Sequence, residues 1–152
     1  MTMRERFAAD LKEAIKARDS RRISTLRLIT AAIKDRDIAA RTEDNAEGVG
    51  DAGILAILAK MIRQREESAR AYEEGGRLDL AEQERGEIAI IRDYLPRQMS
   101  EAEIDQAIAK AIEETGASSI RDMGKVMAML KARHTGQMDF SRVGAAVKQA
   151  FR

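Results

Sequence analysis

The sequence predicts an all-α protein, and three observations lead to this fold class. Charged residues make up 35% and aromatic residues only 3% of 152 residues, in a composition dominated by helix-favouring residue types. Apolar residues recur at three- and four-residue steps along most of the chain. No segment alternates with period two, so no sheet is expected. We expect an N-terminal helical hairpin or bundle of about four helices and a compact C-terminal domain of three helices.

The first two helices are predicted near the N-terminus. Thr2 and Glu5 have capping-box spacing, and the helix that they begin runs to about Arg18. Its apolar stripe consists of Phe7, Leu11 and Ile15. Asp19 or Ser20 caps the second helix, which continues to about Ile38 through Ile23, Leu26, Ile29 and Ile33. Residues 40–50 lack periodicity and are predicted to form a loop.

The third and fourth helices complete the predicted N-terminal half. The third begins at Asp51, extends to near Tyr72 and is stopped by Gly75 and Gly76. The fourth carries Leu80, Ile88, Ile91 and Leu95. Its end is predicted at Leu95, because the next residue is a proline, which lacks an amide donor and forces the preceding residue out of the helical region.

Pro96 is the single proline, and it marks the predicted boundary between an N-terminal domain, residues 1–95, and a C-terminal domain, residues 96–152. Ser100 and Glu103 repeat the capping-box spacing and begin the fifth helix, and Gly116 is its predicted C-cap. The sixth helix is predicted from Ser118 or Ser119 and carries Ile120, Met123, Met127 and Leu130. The seventh begins near Asp139 and carries Phe140, Val143, Val147 and Phe151.

Composition excludes several kinds of site. With no cysteine, the chain has no disulfide, thiolate nucleophile or cysteine metal site. No apolar run reaches the length of a membrane span, and we expect no signal peptide, no membrane partner and a cytoplasmic location. We expect no cofactor, no metal and no catalytic residue. The many glutamates of residues 66–87 lie among arginines at helical spacing, which is typical of solvated faces with i,i+4 ion pairs.

Two short motifs are interpreted as structural. GVGDAG at residues 48–53 matches the dinucleotide-binding pattern G-x-G-x-x-G, but that chemistry requires a preceding strand, and none is predicted. A loop followed by a helix cap at Asp51 accounts for these residues. His134 is the single histidine, and with no neighbouring metal-ligand or nucleophile pattern it is expected to be an exposed loop residue.

The charge distribution is the stronger functional signal. Residues 1–36 and residues 116–152 each carry a net charge of +5, and the segment between them is acidic. Gly124 lies among the C-terminal basic residues, where a glycine permits close packing or close approach of a phosphate backbone. The candidate nucleic-acid-binding residues are Arg121, Lys125, Lys131, Arg133, Arg142 and Lys148. Arg21, Arg22 and Arg27 of the second helix could extend this surface.

Three segments resemble the YqeY family, which is related to the C-terminal tail of the B subunit of the glutamine-dependent tRNA amidotransferase. They are DLKEAIKARDSRRISTLRLITAAIKDRDI at residues 10–38, KMIRQREESARAYEEGGRLDLAEQERGEIAIIRDYLPRQMSEAEI at residues 60–104 and GASSIRDMGKVMAMLKARHTG at residues 116–136. The resemblance implies an all-helical, two-part fold and a tie to tRNA. The tail's shared glycine turn would correspond to Gly124, Lys125, Val126 and Met127.

The leading hypothesis is a non-catalytic helical module that binds tRNA or a tRNA-handling protein complex through the C-terminal basic face. One alternative is a protein–protein adaptor that makes no RNA contact. The other alternative follows from the resemblance alone. It is an accessory role in carbon–nitrogen ligation with glutamine as the amide donor, or a ligase description carried over from the related enzyme. The chain shows no ATP-binding loop, nucleophile or metal cluster that would carry out this reaction.

Overall fold

The computed structural model describes residues 1–41 and 48–151 of the chain. Within them the protein is all-helical, as the sequence predicts, with seven α-helices, one 3₁₀ turn and no strand. The chain divides into two compact units, Met1–Leu95 and Pro96–Arg152, here called the N-terminal and C-terminal units. Their folding as independent domains stays a prediction.

Each unit is built from consecutive helices. The helices of the N-terminal unit are α1 (Met3–Ala17), α2 (Ser20–Arg41), α3 (Asp51–Glu74) and α4 (Leu78–Arg92). The C-terminal unit consists of α5 (Glu101–Thr115), the 3₁₀ turn (Ile120–Asp122), α6 (Met123–Arg133) and α7 (Phe140–Ala150).

The predicted helix starts are confirmed where the sequence carries a cap. The Glu5 amide donates to Thr2 Oγ1 at 3.1 Å, and the Thr2 amide donates to the Glu5 carboxylate at 3.1 Å. Ser100 and Glu103 form the same reciprocal pair at the start of α5, at 3.1 and 3.2 Å. Asp19 caps α2 by accepting from the amide of the third helical residue at 3.1 Å. These side chains satisfy amides that the first helical turn leaves without a partner.

Helix ends differ from the sequence prediction by a few residues. The helix α4 ends at Arg92, and the next three amides form tighter i→i−3 bonds of 3.0–3.3 Å that lead into Pro96. Gly116, the predicted C-cap of the fifth helix, has the left-handed φ of +68°, which confirms its assignment. The helix α2 continues to Arg41, so residues 40 and 41 are helical where a loop was predicted, and residues 42–47 of that predicted loop lie outside the described residues.

One apolar core holds the N-terminal unit together. It joins all four helices, and its fully buried members include Leu26, Ile29, Ile54, Leu58 and Ile91. Tyr94 follows α4 and is only 4% exposed. Its ring packs edge-on against that of Phe7, with the ring centroids 4.7 Å apart, and its hydroxyl donates to Asp10 Oδ2 at 2.5 Å. The region where α4 ends is therefore fixed to α1.

The predicted apolar stripe of α1 is wrong at its last member. Ile15 is 48% exposed, whereas Ala14 is buried. The reason is the helical period: each four-residue step rotates by about 40°, so two steps from Phe7 move Ile15 by about 80° around the helix. A seven-residue step from Phe7 ends close to its starting direction, which places Ala14 in the core.

Several glutamates of residues 66–87 form ion pairs that join α3 to α4, a pairing that the sequence did not suggest. Arg65 Nε donates to Glu87 Oε2 at 2.8 Å, with side chains only 14% and 12% exposed. Two further salt bridges join the same helices, Arg92–Glu66 at 3.2 Å and Arg85–Glu73. These glutamates therefore bind arginines of the facing helix.

The C-terminal unit has a separate core. Its buried members come from every α-helix of the unit and from the loop before α7: Ile108, Ala111, Val126, Leu130, Met138, Val143 and Val147. Ile120 is 56% exposed, against its predicted place in the apolar repeat of helix six. This repeat fails because the 3₁₀ turn precedes α6, which begins only at Met123.

Candidate nucleic-acid interface

All six candidate basic residues are exposed in the C-terminal unit. Arg121 belongs to the 3₁₀ turn, three of the others belong to α6, and Arg142 and Lys148 belong to α7. The helix α5 carries five of the unit's seven acidic residues, so the basic side chains are concentrated on α6 and α7. The unit has a net charge of +2, and its positive charge is separated from most of its negative charge. Such a separation produces a local positive potential that attracts anionic partners.

The basic residues of α6 do not share one side of the helix. Lys125 and Arg133 belong to one row of four-residue steps that passes through Met129. Lys131 continues a different row, through Met123 and Met127. Because two residues advance about 200°, Lys131 and Arg133 project about 160° apart. The six residues therefore do not form a single compact patch.

Acidic neighbours reduce the free positive charge of the face. Arg133 forms a salt bridge with Glu114 of α5, and Arg142 Nε lies 3.7 Å from Asp139 Oδ2. The backbone amide of Ser118 donates to Asp122 at 3.0 Å and is the main cause that lowers the pKa of this carboxyl, with a smaller contribution from Lys125. Lys125, Lys131 and Lys148 form no salt bridge with any other described residue.

Gly124 lies in the first turn of α6 beside Lys125 and is exposed. A Cβ atom built at this position meets no atom of a neighbouring described residue within 4 Å, so packing within residues 1–41 and 48–151 does not require a glycine here. Gly144 of α7 differs, because a Cβ there would contact Met123 Cε at 3.6 Å. The surface beside Lys125 is thus open to the close approach of a partner.

The arginines of α2 have structural partners within the N-terminal unit. Arg21 donates to both oxygens of Glu82, at 3.0 and 3.2 Å, and its guanidinium occupies the space that a Cβ at Gly86 would need. Arg22 pairs with Asp19 at 3.8 Å and with Asp93 at 3.6 Å. Only Arg27 of the three predicted extension residues has no salt bridge to a described residue.

The GVGDAG segment is held by an ion pair and has no preceding strand in the described residues. Asp37 accepts from the Val49 amide at 2.9 Å, and Arg4 binds Asp37 at 2.8 Å and the Val49 carbonyl at 2.9 Å. The Arg4 guanidinium, with the Val49 amide, lowers the pKa of Asp37 to about 2. Gly48 has φ +80° and no room for a Cβ beside Asp37. The expected cap at Asp51 is wrong, because Gly50 is the N-cap.

His134 is half-buried, which corrects its expected place as an exposed loop residue. Its amide donates to the Leu130 carbonyl at 2.9 Å and ends α6, and its Nδ1 lies 3.4 Å from Gln137 Oε1. The side chain lines an open groove of about 350 Å³ between α5 and α6, with Ala107 and Ala111 in its wall. Sequence periodicity gave no signal for this groove.

Metal clusters and membrane-spanning helices are absent from the described residues. Within residues 1–41 and 48–151 there is no group of three or more His, Cys, Asp or Glu side chains able to hold a metal ion. None of the described helices is long and apolar enough to cross a membrane.

The fold and the candidate site define a class: a two-unit, all-helical protein whose last two helices carry exposed basic residues. The family model for Yqey-like proteins matches residues 4–151, and the chain belongs to this family. It is 30% identical over 149 residues to "Altered inheritance of mitochondria protein 41, mitochondrial" of Lachancea thermotolerans, covering 94% of this chain and 78% of that protein.

Two further relatives carry the same name. The Kluyveromyces lactis protein is 32% identical over 108 residues, covering 69% of this chain and 56% of the relative. The Pyrenophora tritici-repentis protein is 28% identical over 134 residues, covering 84% and 71%. The expected cytoplasmic location is wrong, because these relatives are named mitochondrial proteins. That expectation depended on the absence of cysteine and of a membrane span. Neither absence distinguishes one reducing compartment from another.

Proposed function

We propose that this chain is a non-catalytic helical module that binds tRNA, or a complex that handles tRNA, through the basic residues of α6 and α7. The observation that carries the proposal is the open surface at Gly124, flanked by the exposed cations Arg121 and Lys125. A glycine in a helix costs stability, and no group among the described residues requires a glycine at this position. Close approach of an anionic backbone would explain why a glycine occupies this position.

The side chains available favour recognition of backbone and shape. Arginine and lysine neutralise phosphates, and this term supplies most of the affinity of proteins that bind nucleic acid without reading sequence. The two phenylalanines of the C-terminal unit, Phe140 and Phe151, are partly buried against its core, so they are not free platforms for stacked bases. A folded RNA is therefore a better fit than a sequence-specific single strand.

Salt dependence of tRNA binding tests the proposal. Fluorescence anisotropy of labelled tRNA would be measured with the full chain at several salt concentrations. The RNA would include mitochondrial tRNA, because the curated relatives are named mitochondrial proteins. We expect affinity to fall steeply with salt, with a log–log slope of about −0.7 to −0.9 per phosphate contact. No binding at low salt would refute direct tRNA binding and favour a protein partner.

A matched pair of double variants locates the binding face. Lys125→Glu/Lys148→Glu changes one exposed lysine on each of α6 and α7. Lys60→Glu/Lys110→Glu makes the same charge change on α3 and α5. We expect the first variant to lose affinity and to lower the salt slope by about 1 per lost contact, while the second binds nearly as the unchanged protein does. Equal losses would show that net charge alone matters.

A further inference from the structure

An exposed isoleucine lies within the basic surface. Ile120, in the 3₁₀ turn, is 56% exposed and is followed directly by Arg121. Gly124 follows four residues later, as the second residue of α6, and has open space at its Cα among the described residues. The neighbouring Lys125 is exposed, so an apolar side chain, an open backbone position and two cations occupy one short stretch.

The acidic residue in this stretch is directed toward the chain's own backbone. Asp122 accepts from the Ser118 amide at 3.0 Å, so its carboxylate is engaged inside the turn that precedes α6. Arg121 and Lys125 form no salt bridge with a described residue. The stretch is therefore complementary to an anionic partner that also offers an apolar surface.

RNA offers an apolar surface only where its bases are unstacked. In a duplex the base faces are covered, and the accessible surface consists of phosphates, hydroxyls and groove edges. In a loop, an unpaired nucleotide exposes its base face and keeps its phosphate. Burial of apolar side-chain area against that face is favourable and does not depend on salt.

We propose that Ile120 and Gly124 form a contact site for an unpaired nucleotide of an RNA loop. The base lies against Ile120 above the open surface of Gly124, and the adjoining phosphates meet Arg121 and Lys125. This inference rests on the proposed RNA-binding function and names the part of the RNA that the site takes. No base-specific hydrogen bond is involved, so the contact selects loops over duplexes without reading sequence.

The test compares two RNAs and two variants of the full chain. One RNA is a hairpin with an unpaired loop. The other is a blunt duplex that contains the same stem sequence and has as many phosphates in total as the hairpin. Ile120→Ser removes the apolar contact. Ile38→Ser is the control, because Ile38 is 60% exposed and belongs to the N-terminal unit. Circular dichroism checks that both variants keep their helicity.

We expect Ile120→Ser to bind the hairpin about tenfold more weakly, because serine buries less apolar area against a base, and to bind the duplex as the unchanged protein does. Ile38→Ser should match the unchanged protein on both RNAs. Hairpin binding that survives Ile120→Ser, or an equal loss on hairpin and duplex, would overturn the inference and leave the proposed function standing. If the unchanged protein binds neither tRNA nor hairpin nor duplex, both this inference and direct tRNA binding are overturned.

Discussion

Replacement of Gly124 by alanine separates a structural glycine from a functional one. Gly124 has a helical φ and open space where a Cβ would stand, so alanine fits without strain. Gly→Ala at such a position stabilises a protein by about 0.4–1 kcal/mol, mainly because the unfolded chain loses conformational freedom. For a unit of this size that gain raises the melting temperature by about 2–8 °C.

The same methyl group would obstruct a close partner. A phosphate oxygen in contact with a glycine Cα lies about 3.3–3.6 Å from it, a space that a methyl group occupies. We therefore expect Gly124→Ala to be more stable in thermal denaturation and about tenfold weaker in tRNA binding, a loss of about 1.4 kcal/mol. A variant that gains stability and loses binding cannot be explained by damage to the fold.

Gly144→Ala is the matched control in the same unit. Its new Cβ would meet Met123 Cε at 3.6 Å, an ordinary contact inside the protein, so it should gain stability and keep tRNA affinity. Undiminished tRNA binding by Gly124→Ala would refute close approach at this position. A lower melting temperature for Gly124→Ala would refute the reasoning about open space.

Three further predictions concern stability. Tyr94→Phe removes the 2.5 Å hydrogen bond to Asp10 and should cost about 1–2 kcal/mol in urea denaturation; an unchanged midpoint would contradict the role given to this bond. Leu130→Ala, at a side chain with 0% exposure, should cost about 2–5 kcal/mol, and a loss below 1 kcal/mol would contradict a close-packed C-terminal core. The Arg97 guanidinium, with the Ser100 amide, lowers the pKa of Glu103 from 4.5 to about 2. Because the folded pKa is depressed, this stabilisation is complete above pH 4.5 and is lost as pH falls toward 2; Glu103→Gln should flatten that part of the pH dependence of thermal stability, and identical pH profiles would contradict it.

Local chemistry made the helix starts readable from the sequence. In a capping box the serine or threonine side chain accepts from the amide of the glutamate three residues later, and the glutamate side chain accepts from the serine or threonine amide. The capping boxes at Thr2 and Ser100 therefore need no distant partner. Gly116 was predictable for the same reason, because its left-handed φ is a local requirement. The exact end of α4 was less predictable, because the three tight turns before Pro96 form part of the packing of Tyr94.

Pairing between helices was not readable from the sequence. Periodicity assigns side chains to a face but does not say which helix that face meets, so the Arg65–Glu87 and Arg21–Glu82 pairs were missed. The same limit applies to the candidate interface. The sequence identified its basic residues and Gly124, but not the salt bridge that occupies Arg133 or the exposure of Ile120.

The sequence by itself determined the YqeY family and an all-helical chain with most of its caps and core positions. The helices, caps and core positions follow from the local pattern of apolar and capping residues. The tertiary structure decided which arginines serve the fold and which remain exposed to a partner. That distinction depends on the distance between side chains far apart in the chain. Periodicity along a single helix contains no information about that distance.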